Sequence, residues 1–125
     1  MFTQLLQEVS MKQQPSGTHG LVAYDVALEV SVRTLKALKG VHTPGDLADQ
    51  AVRAAISIPL NIAEGAGRTG GDRQYHFRIA YGSAKELMAC FHLFGRLGLV
   101  PSEVLGELTH DLDRLCGLLW GLCRK

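Results

Sequence analysis

The chain has 125 residues, of which 46% are hydrophobic and 20% charged, and its formal net charge is +1. This length predicts one domain with a single core, and the hydrophobic share excludes an intrinsically disordered chain. The small net charge excludes nucleic-acid binding driven by bulk charge. Charge is unevenly distributed, because residues 53–96 contain six basic and three acidic residues. Any anion-binding surface should therefore use the middle of the chain.

Residues 1–20 consist of a short amphipathic piece followed by a polar run. The amphipathic piece contains Phe2, Leu5, Leu6 and Val9. The polar run has no burial pattern, so we predict a flexible segment over residues 1–20 and a helical domain over residues 21–125. The amphipathic piece either docks on a neighbouring subunit or is disordered. Disorder is favoured because short helices are marginal in water without packing.

The first helix is predicted over residues 21–38. Spacings of three and four residues predict a core stripe of Leu21, Tyr24, Leu28, Ser31, Leu35 and Leu38. A second stripe is made of small residues that would let another helix approach closely, namely Ala23, Ala27, Val30 and Thr34. Gly40 ends the helix, and Thr43 is predicted to cap the next one, with Asp46 three residues on.

The second helix has a small core face and contains a proline. Pro59 removes a backbone donor and leaves the carbonyl of Ala55 without its usual partner, so we expect a kink or local unwinding there. Asn61 and Glu64 are expected to bond backbone groups that the proline frees. Gly65 and Gly67 are expected to supply the left-handed or strained backbone that ends the helix. These five residues form the predicted structural motif.

Two further helices follow a glycine-rich loop. Thr69 and Asp72 have capping-box spacing at the start of the third helix, whose seam is Phe77, Ala80, Ala84, Leu87, Phe91 and Phe94. Gly98 closes it and Pro101 opens the fourth, whose stripe is Leu105, Leu108, Leu112, Leu115, Leu119 and Leu122. The pattern predicts an all-α, up-down-up-down four-helix bundle with a kinked second helix. Surplus apolar residues on the fourth helix, such as Val104 and Trp120, indicate an interface.

Two blocks of the sequence resemble a known family. Residues 57–68 read Ser-Ile-Pro-Leu-Asn-Ile-Ala-Glu-Gly-Ala-Gly-Arg, and residues 80–87 read Ala-Tyr-Gly-Ser-Ala-Lys-Glu-Leu. Both are similar to the signature of the four-helix-bundle family of ribosomal RNA intervening-sequence proteins and the accessory (variability determinant) proteins of diversity-generating retroelements. The likeness extends from about Leu21 to Leu122. It implies a ring-shaped homopentamer and, in the retroelement relatives, a complex with a reverse transcriptase and its template RNA.

The sequence predicts no enzymatic activity. His76 and His92 are sixteen residues apart and so project about 160° from each other on an ideal helix, which excludes a shared ligand pair. The glycine-rich loop has no preceding strand and no Gly-Lys-Ser/Thr ending, so it is weak as a phosphate loop. We expect no cofactor, no metal and no small-molecule substrate. A metal-dependent enzyme is the least favoured hypothesis.

The cysteines and the hydropathy pattern bear on location. Cys90, Cys116 and Cys123 lie in apolar helical patterns without paired spacing, where free cysteine behaves as a small hydrophobe. This favours a reducing cytoplasm. No stretch reaches the roughly 18 apolar residues of a membrane helix, and the first ten residues do not resemble a secretion signal. We expect a soluble cytoplasmic protein without membrane contact.

The basic residues of the middle segment are the candidate nucleic-acid-binding set: Arg68, Arg73, Arg78, Lys85 and Arg96. Steps of seven, seven and four keep Arg78, Lys85, His92 and Arg96 within a narrow angle on one helix. A solvated face explains this stripe at least as well as RNA binding does. The leading hypothesis is a homo-oligomer, pentameric by family likeness, that binds RNA or a reverse transcriptase. The alternative is a scaffolding oligomer that binds another protein.

Overall fold

The computed structural model describes residues 21–125, which form four α-helices joined by short loops. The helices are α1 (Val22–Leu38), α2 (Leu47–Ala66), α3 (Gly70–Leu97) and α4 (Ser102–Cys123). Each helix packs against the next, and α1 also packs against α4, which closes the bundle. The predicted all-α four-helix bundle is thus confirmed. The segment 1–20, including its amphipathic piece, lies outside the described residues.

The core is built mainly from the seams of α3 and α4, as the heptad pattern predicts. Phe77, Phe91 and Phe94 are about 1% exposed, and four leucines of α4 are buried with them. Full burial of one such side chain stabilises the fold by about 1.5–3 kcal/mol. The facing side of α2 is small, with Ala51, Ala54, Ala55, Ile58 and Ile62 all buried. Large side chains of α3 therefore fill the space that the alanines leave.

The core face of α1 differs from the predicted one. The small stripe of Ala23, Ala27, Val30 and Thr34 is buried, whereas Leu35 is 39% exposed and Leu28 is half-buried. The prediction that Leu28 and Leu35 point into the core is therefore wrong. Small residues allow α1 to lie close to its neighbours, and the leucines of α4 supply the bulk. The larger residues of α1 are displaced to its flanks.

Helix α2 continues through Pro59 without a break. The expected local unwinding does not occur, whereas the kink stays a prediction. Pro59 is itself buried, together with Ala55 and Ile58 on the preceding turn and Ile62 on the following one. Tertiary packing of this apolar face holds the helix together although one hydrogen bond is missing.

The glycines after Pro59 have roles other than the predicted one. Gly65 lies inside α2, and Gly67 has φ −85°, so neither adopts left-handed backbone. A Cβ atom added to Gly65 would lie 2.8 Å from the Phe77 ring, so Gly65 is required for close helix packing. Left-handed backbone occurs instead at Gly40 (φ 77°) and Gly45 (φ 58°) between α1 and α2, at Gly70 (φ 59°), which opens α3, and at Gly98 (φ 66°), which ends α3 as predicted.

Two predicted helix caps are only partly correct. The N-cap of α2 is Asp46, and the Thr43 hydroxyl instead accepts a hydrogen bond from the Ala48 amide at 2.9 Å. Thr69 is the N-cap of α3, as predicted, but its side chain makes no capping hydrogen bond. The Asp72 carboxylate lies 3.5 Å from Arg68, so the ion pair replaces the capping-box contact.

Candidate functional site: a polar seam and a basic stripe on α3

A line of polar groups, here called the polar seam, joins α2 to α3 and consists of Ser57, Asn61, His76 and Ser83. The hydroxyl oxygens of Ser57 and Ser83 lie 2.8 Å apart. Asn61 Nδ2 donates to the carbonyl oxygen of Ser57 at 2.9 Å and to its hydroxyl at 3.0 Å. Asn61 was expected to bond a backbone group freed by Pro59. It does bond a helix carbonyl, but that carbonyl belongs to Ser57 and not to Ala55.

His76 completes the polar seam. Its Nδ1 atom lies 3.1 Å from Asn61 Oδ1. Because Nδ2 of Asn61 already donates to Ser57, Oδ1 is the acceptor and Nδ1 of His76 carries the hydrogen. No hydrogen bond joins His76 to either serine among the described residues, so the seam lacks the nucleophile–base contact of a hydrolase. The arrangement is suited to fixing the distance and register between two helices.

Arg68, the first residue of the candidate nucleic-acid set, is held by carboxylates. Its Nη2 and Nε atoms lie 2.6 Å and 3.0 Å from Glu64 Oε1, and Nη1 lies 3.5 Å from Asp72. The hydrogen bond and the positive charge of Arg68 lower the pKa of Glu64, and Glu64 raises the pKa of Arg68 in return. Glu64 therefore bonds no freed backbone group, contrary to expectation, and the charge of Arg68 is compensated.

Arg73 is also used within the chain. Its guanidinium carbon lies 4.8 Å from the centroid of the buried Phe77 ring, which is cation–π geometry. Its Nη1 atom lies 3.5 Å from the carbonyl oxygen of Ala66, at the end of α2. Arg73 therefore holds the end of α2 against α3, and its side chain is half-buried.

The remaining three candidates, Arg78, Lys85 and Arg96, are exposed on α3 and form no ion pair with any residue of the described range. With His92 they constitute the basic stripe. Burial raises the pKa of Cys116 and of Cys123 on α4, and the nearby charges of Lys85 and Arg78 oppose those shifts. The stripe therefore runs along the side of α3 that borders α4.

An open groove of about 450 Å³ lies at the far end of the basic stripe. Its apolar floor includes Phe91 and Leu105, and His92 and Arg96 are its basic residues. A negatively charged group with an apolar or planar part would match this lining. The sequence pattern predicted the basic residues but not the groove, because the groove forms only where α3 and α4 meet.

Sequence reasoning missed a cluster that joins α1 to α4. Arg33 forms ion pairs with Glu107, at 3.0 Å, and with Asp111. Glu107 and His110 have the Glu-x-x-His spacing used by metal sites in helical bundles, and that spacing was a signal available in the sequence. Both residues are exposed, however, and Arg33 occupies the carboxylates. Within residues 21–125, no group of three or more His, Cys, Asp or Glu side chains is placed to hold a metal ion.

The three cysteines are free thiols. Burial raises the pKa of all three, and at Cys90 the negative charge of Glu86 raises it further. Raised pKa values make these thiols poor nucleophiles. In the part of the chain that the structure describes, no helix combines the length and apolar character needed to cross a membrane.

The chain is thus a small four-helix bundle in which the polar seam joins α2 to α3 and the basic stripe lies exposed along α3. The chain belongs to the family described as 23S rRNA-intervening sequence protein, which it matches over residues 20–121. The resemblance of the two sequence blocks to this family is thereby confirmed. The blocks meet in space, because Ser57 of the first contacts Ser83 of the second.

A solved structure has a similar fold. It is a protein with unknown function from the S23 ribosomal protein family of Bacteroides thetaiotaomicron, and it is 24% identical to this chain with a TM-score of 0.75. The alignment covers 83% of this chain and 96% of the other. At this identity the likeness supports the fold alone. A comparison with curated proteins finds no match.

Proposed function

We propose that the protein is a non-enzymatic, cytoplasmic homo-oligomer that binds RNA through the basic stripe of α3. The observation that carries this proposal is the exposure of Arg78, Lys85 and Arg96 without acidic partners in the described range. Eighteen residues separate the first from the last, a length of about 27 Å along a helix. This length would let one stripe contact several phosphates.

The proposal narrows the predicted binding set. Arg68 is compensated by two carboxylates and Arg73 packs on Phe77, so both contribute to the α2–α3 contact. Arg78, Lys85 and Arg96 are left to contact RNA, with His92 at the groove. Three cations bind weakly, and the binding should be insensitive to sequence and steeply weakened by salt.

Assembly would strengthen this weak contact. Leu93, Leu97 and Trp120 are 48%, 51% and 50% exposed, an amount of apolar surface that favours subunit contact. The five-subunit ring implied by the family resemblance would repeat the basic stripe in every subunit. Multivalent binding could then exceed the affinity of one stripe by about 100-fold or more.

The deciding experiment is a fluorescence-anisotropy titration with structured RNA at roughly 50 mM salt, where phosphate contacts are strong. Wild-type protein should bind, and the double variant Arg78→Glu/Lys85→Glu should not. The matched control is Lys36→Glu/Lys39→Glu, which makes the same charge change at exposed positions near the end of α1. Absence of binding by the wild-type oligomer would contradict the RNA proposal.

The second candidate is a scaffolding oligomer that binds another protein and has no nucleic-acid role. The exposed apolar residues at the end of α3 and on α4 favour it, since they suit a protein partner better than phosphate. Light scattering separates the assembly question from the RNA question. A mass near 13.6 kDa would contradict both oligomer proposals, and a mass near five times that would support the ring.

A further inference from the structure

The outer face of α2 carries a line of exposed residues that the basic stripe and the α4 surface do not include. We define this α2 outer stripe as Asp49, Arg53, Ile56, Leu60 and Glu64, which lie within an arc of about 80° on the helix. Ile56 is 39% exposed and Leu60 is 63% exposed. Two neighbouring aliphatic side chains are thus left to solvent between charged groups.

The charges of the α2 outer stripe have a specific order. From the beginning of α2 they run acid, base, two aliphatic residues, acid, and Arg68 adds a base directly after the helix. Read in the opposite direction, every sign is reversed. A second copy of α2 laid antiparallel, with Ile56 facing Leu60, would therefore bring Arg53 opposite Glu64 and Asp49 opposite Arg68.

Other arrangements of the same two faces lack this match. A parallel pair would place Arg53 against Arg53 and Glu64 against Glu64, which is repulsive. The antiparallel pair has twofold symmetry, so each favourable charge pair occurs twice. Both aliphatic residues lose their solvent exposure at the centre, where apolar contact contributes most to an interface.

We propose that the α2 outer stripe is a twofold interface at which α2 of a second copy of this chain packs antiparallel. Charge complementarity selects this occupant, because the stripe complements itself. The present contacts do not prevent it: Glu64 and Arg68 form an exposed pair, and Arg53 lies 3.9 Å from Asp46. Such exposed pairs contribute little and can exchange partners. This interface is distinct from the head-to-tail contacts of a ring, so it would produce dimers or pairs of rings.

The test uses sedimentation velocity on the full chain over a range of concentrations at low salt. Wild-type protein should show a species with an even number of subunits. Arg53→Glu and Glu64→Arg should each weaken this association by at least about tenfold, since each opposes like charges twice. An equimolar mixture of the two variants should associate again, because the acidic stripe of one copy then faces the basic stripe of the other.

A double variant and a control variant complete the experiment. The double variant Arg53→Glu/Glu64→Arg should associate within about threefold of wild type, since its charges are complementary again. Lys36→Glu on α1 is the control and should associate normally. Circular dichroism verifies that each variant is folded. If the second positive charge beside Arg68 disrupts α2, Glu64→Gln replaces Glu64→Arg. Glu64→Gln should weaken the association less than Glu64→Arg, because it removes a charge without reversing it. Failure of the mixture and of the double variant to reassociate would overturn the proposal, as would wild-type protein with only odd-numbered species. Persistence of the ring in those variants would leave the RNA proposal intact.

Discussion

The two polar sides of α3 use their charged and polar groups differently. Toward α2, Arg73 lies on Phe77, His76 bonds Asn61 and Ser83 bonds Ser57. Toward α4, Arg78 and Lys85 remain exposed and form no ion pair within the described range. The α2 side thus contributes contacts that hold the bundle together, whereas the cations on the α4 side stay exposed to solvent. The function that we propose would therefore divide α3 by angular position into a packing side and an RNA-binding side.

The comparison teaches that charge type and spacing alone do not assign a role. Arg68, Arg73 and Arg78 lie within eleven residues and were predicted as one set. Arg68 reaches carboxylates on α2 and α3, and Arg73 reaches the end of α2 and a ring on α3. Arg78 makes no such contact within the described residues. Substitutions on the side of α3 that faces α2 should therefore change stability, and substitutions on the side that borders α4 should change RNA binding.

The largest effect is expected from overfilling the α2–α3 contact. Gly65→Val should destabilise the protein by about 3 kcal/mol, because the new side chain would overlap the buried Phe77 ring. Gly82→Ala is the matched control, since no atom lies within 4 Å of its added Cβ on the outside of α3. It should stabilise the helix by about 0.5–1 kcal/mol. Urea unfolding measures both, and equal midpoints would contradict the close-packing role of Gly65.

A smaller loss is expected from breaking the polar seam. Asn61→Ala removes two donor contacts to Ser57 and the acceptor for His76, and it should cost about 2 kcal/mol. Ser102→Ala, at an exposed position at the start of α4, is the control and should shift stability by less than about 0.5 kcal/mol. Thermal unfolding of both variants is the measurement. An unchanged melting temperature for Asn61→Ala would show that the seam does not stabilise the bundle.

The sharpest contrast within α3 comes from two arginines. Arg73→Ala should cost about 1 kcal/mol through its lost packing on Phe77 while leaving most RNA affinity intact. Arg78→Ala should change stability by less than about 0.5 kcal/mol and weaken RNA binding. Unfolding curves and anisotropy titrations on the same preparations test the pair. A stability loss for Arg78→Ala together with a loss of RNA affinity for Arg73→Ala would contradict the roles assigned to the two sides of α3.

The smallest effect is expected from pH. The pKa of Glu64 is lowered below its ordinary 4.5 by Arg68, so the ion pair stabilises the fold above that value. This contribution is lost as the pH falls through the lowered pKa. The melting temperatures of wild type and Glu64→Gln should therefore converge between about pH 5 and about pH 3. A constant difference over this range would exclude the ion pair as the cause.

Much of the fold could be predicted because heptad spacing reports burial directly. All six predicted seam residues of α3 are buried, and so are Leu108, Leu112, Leu115 and Leu119 of α4. Which face of α1 is buried could not be predicted from spacing, since the small-residue stripe and the leucine stripe of this helix have the same period. Only the size of the space between α2 and α4 decides which of them faces inward.

The polar contacts were less predictable. Ser57 and Ser83 are 26 residues apart, and Arg33 and Asp111 are 78 apart, so no local spacing connects them. Gly65 is similar, because its role depends on a ring in the next helix. The basic stripe lies on a single helix, and for that reason its angular clustering could be predicted from sequence while its exposure could not.

The ion pairs of Arg33 with Glu107 and Asp111 have a consequence for the order of folding. Contacts between α1 and α2, α2 and α3, and α3 and α4 join helices that are neighbours in sequence, whereas the ion pair of Arg33 with Glu107 joins residues 74 apart. Closing a long loop costs more entropy than closing a short one. We therefore expect Arg33 to pair after the transition state, so that its removal speeds unfolding and leaves the refolding rate unchanged. The unfolding rate of the protein would then depend on the cluster of Arg33, Glu107 and Asp111, which lies outside both sequence blocks that resemble the family.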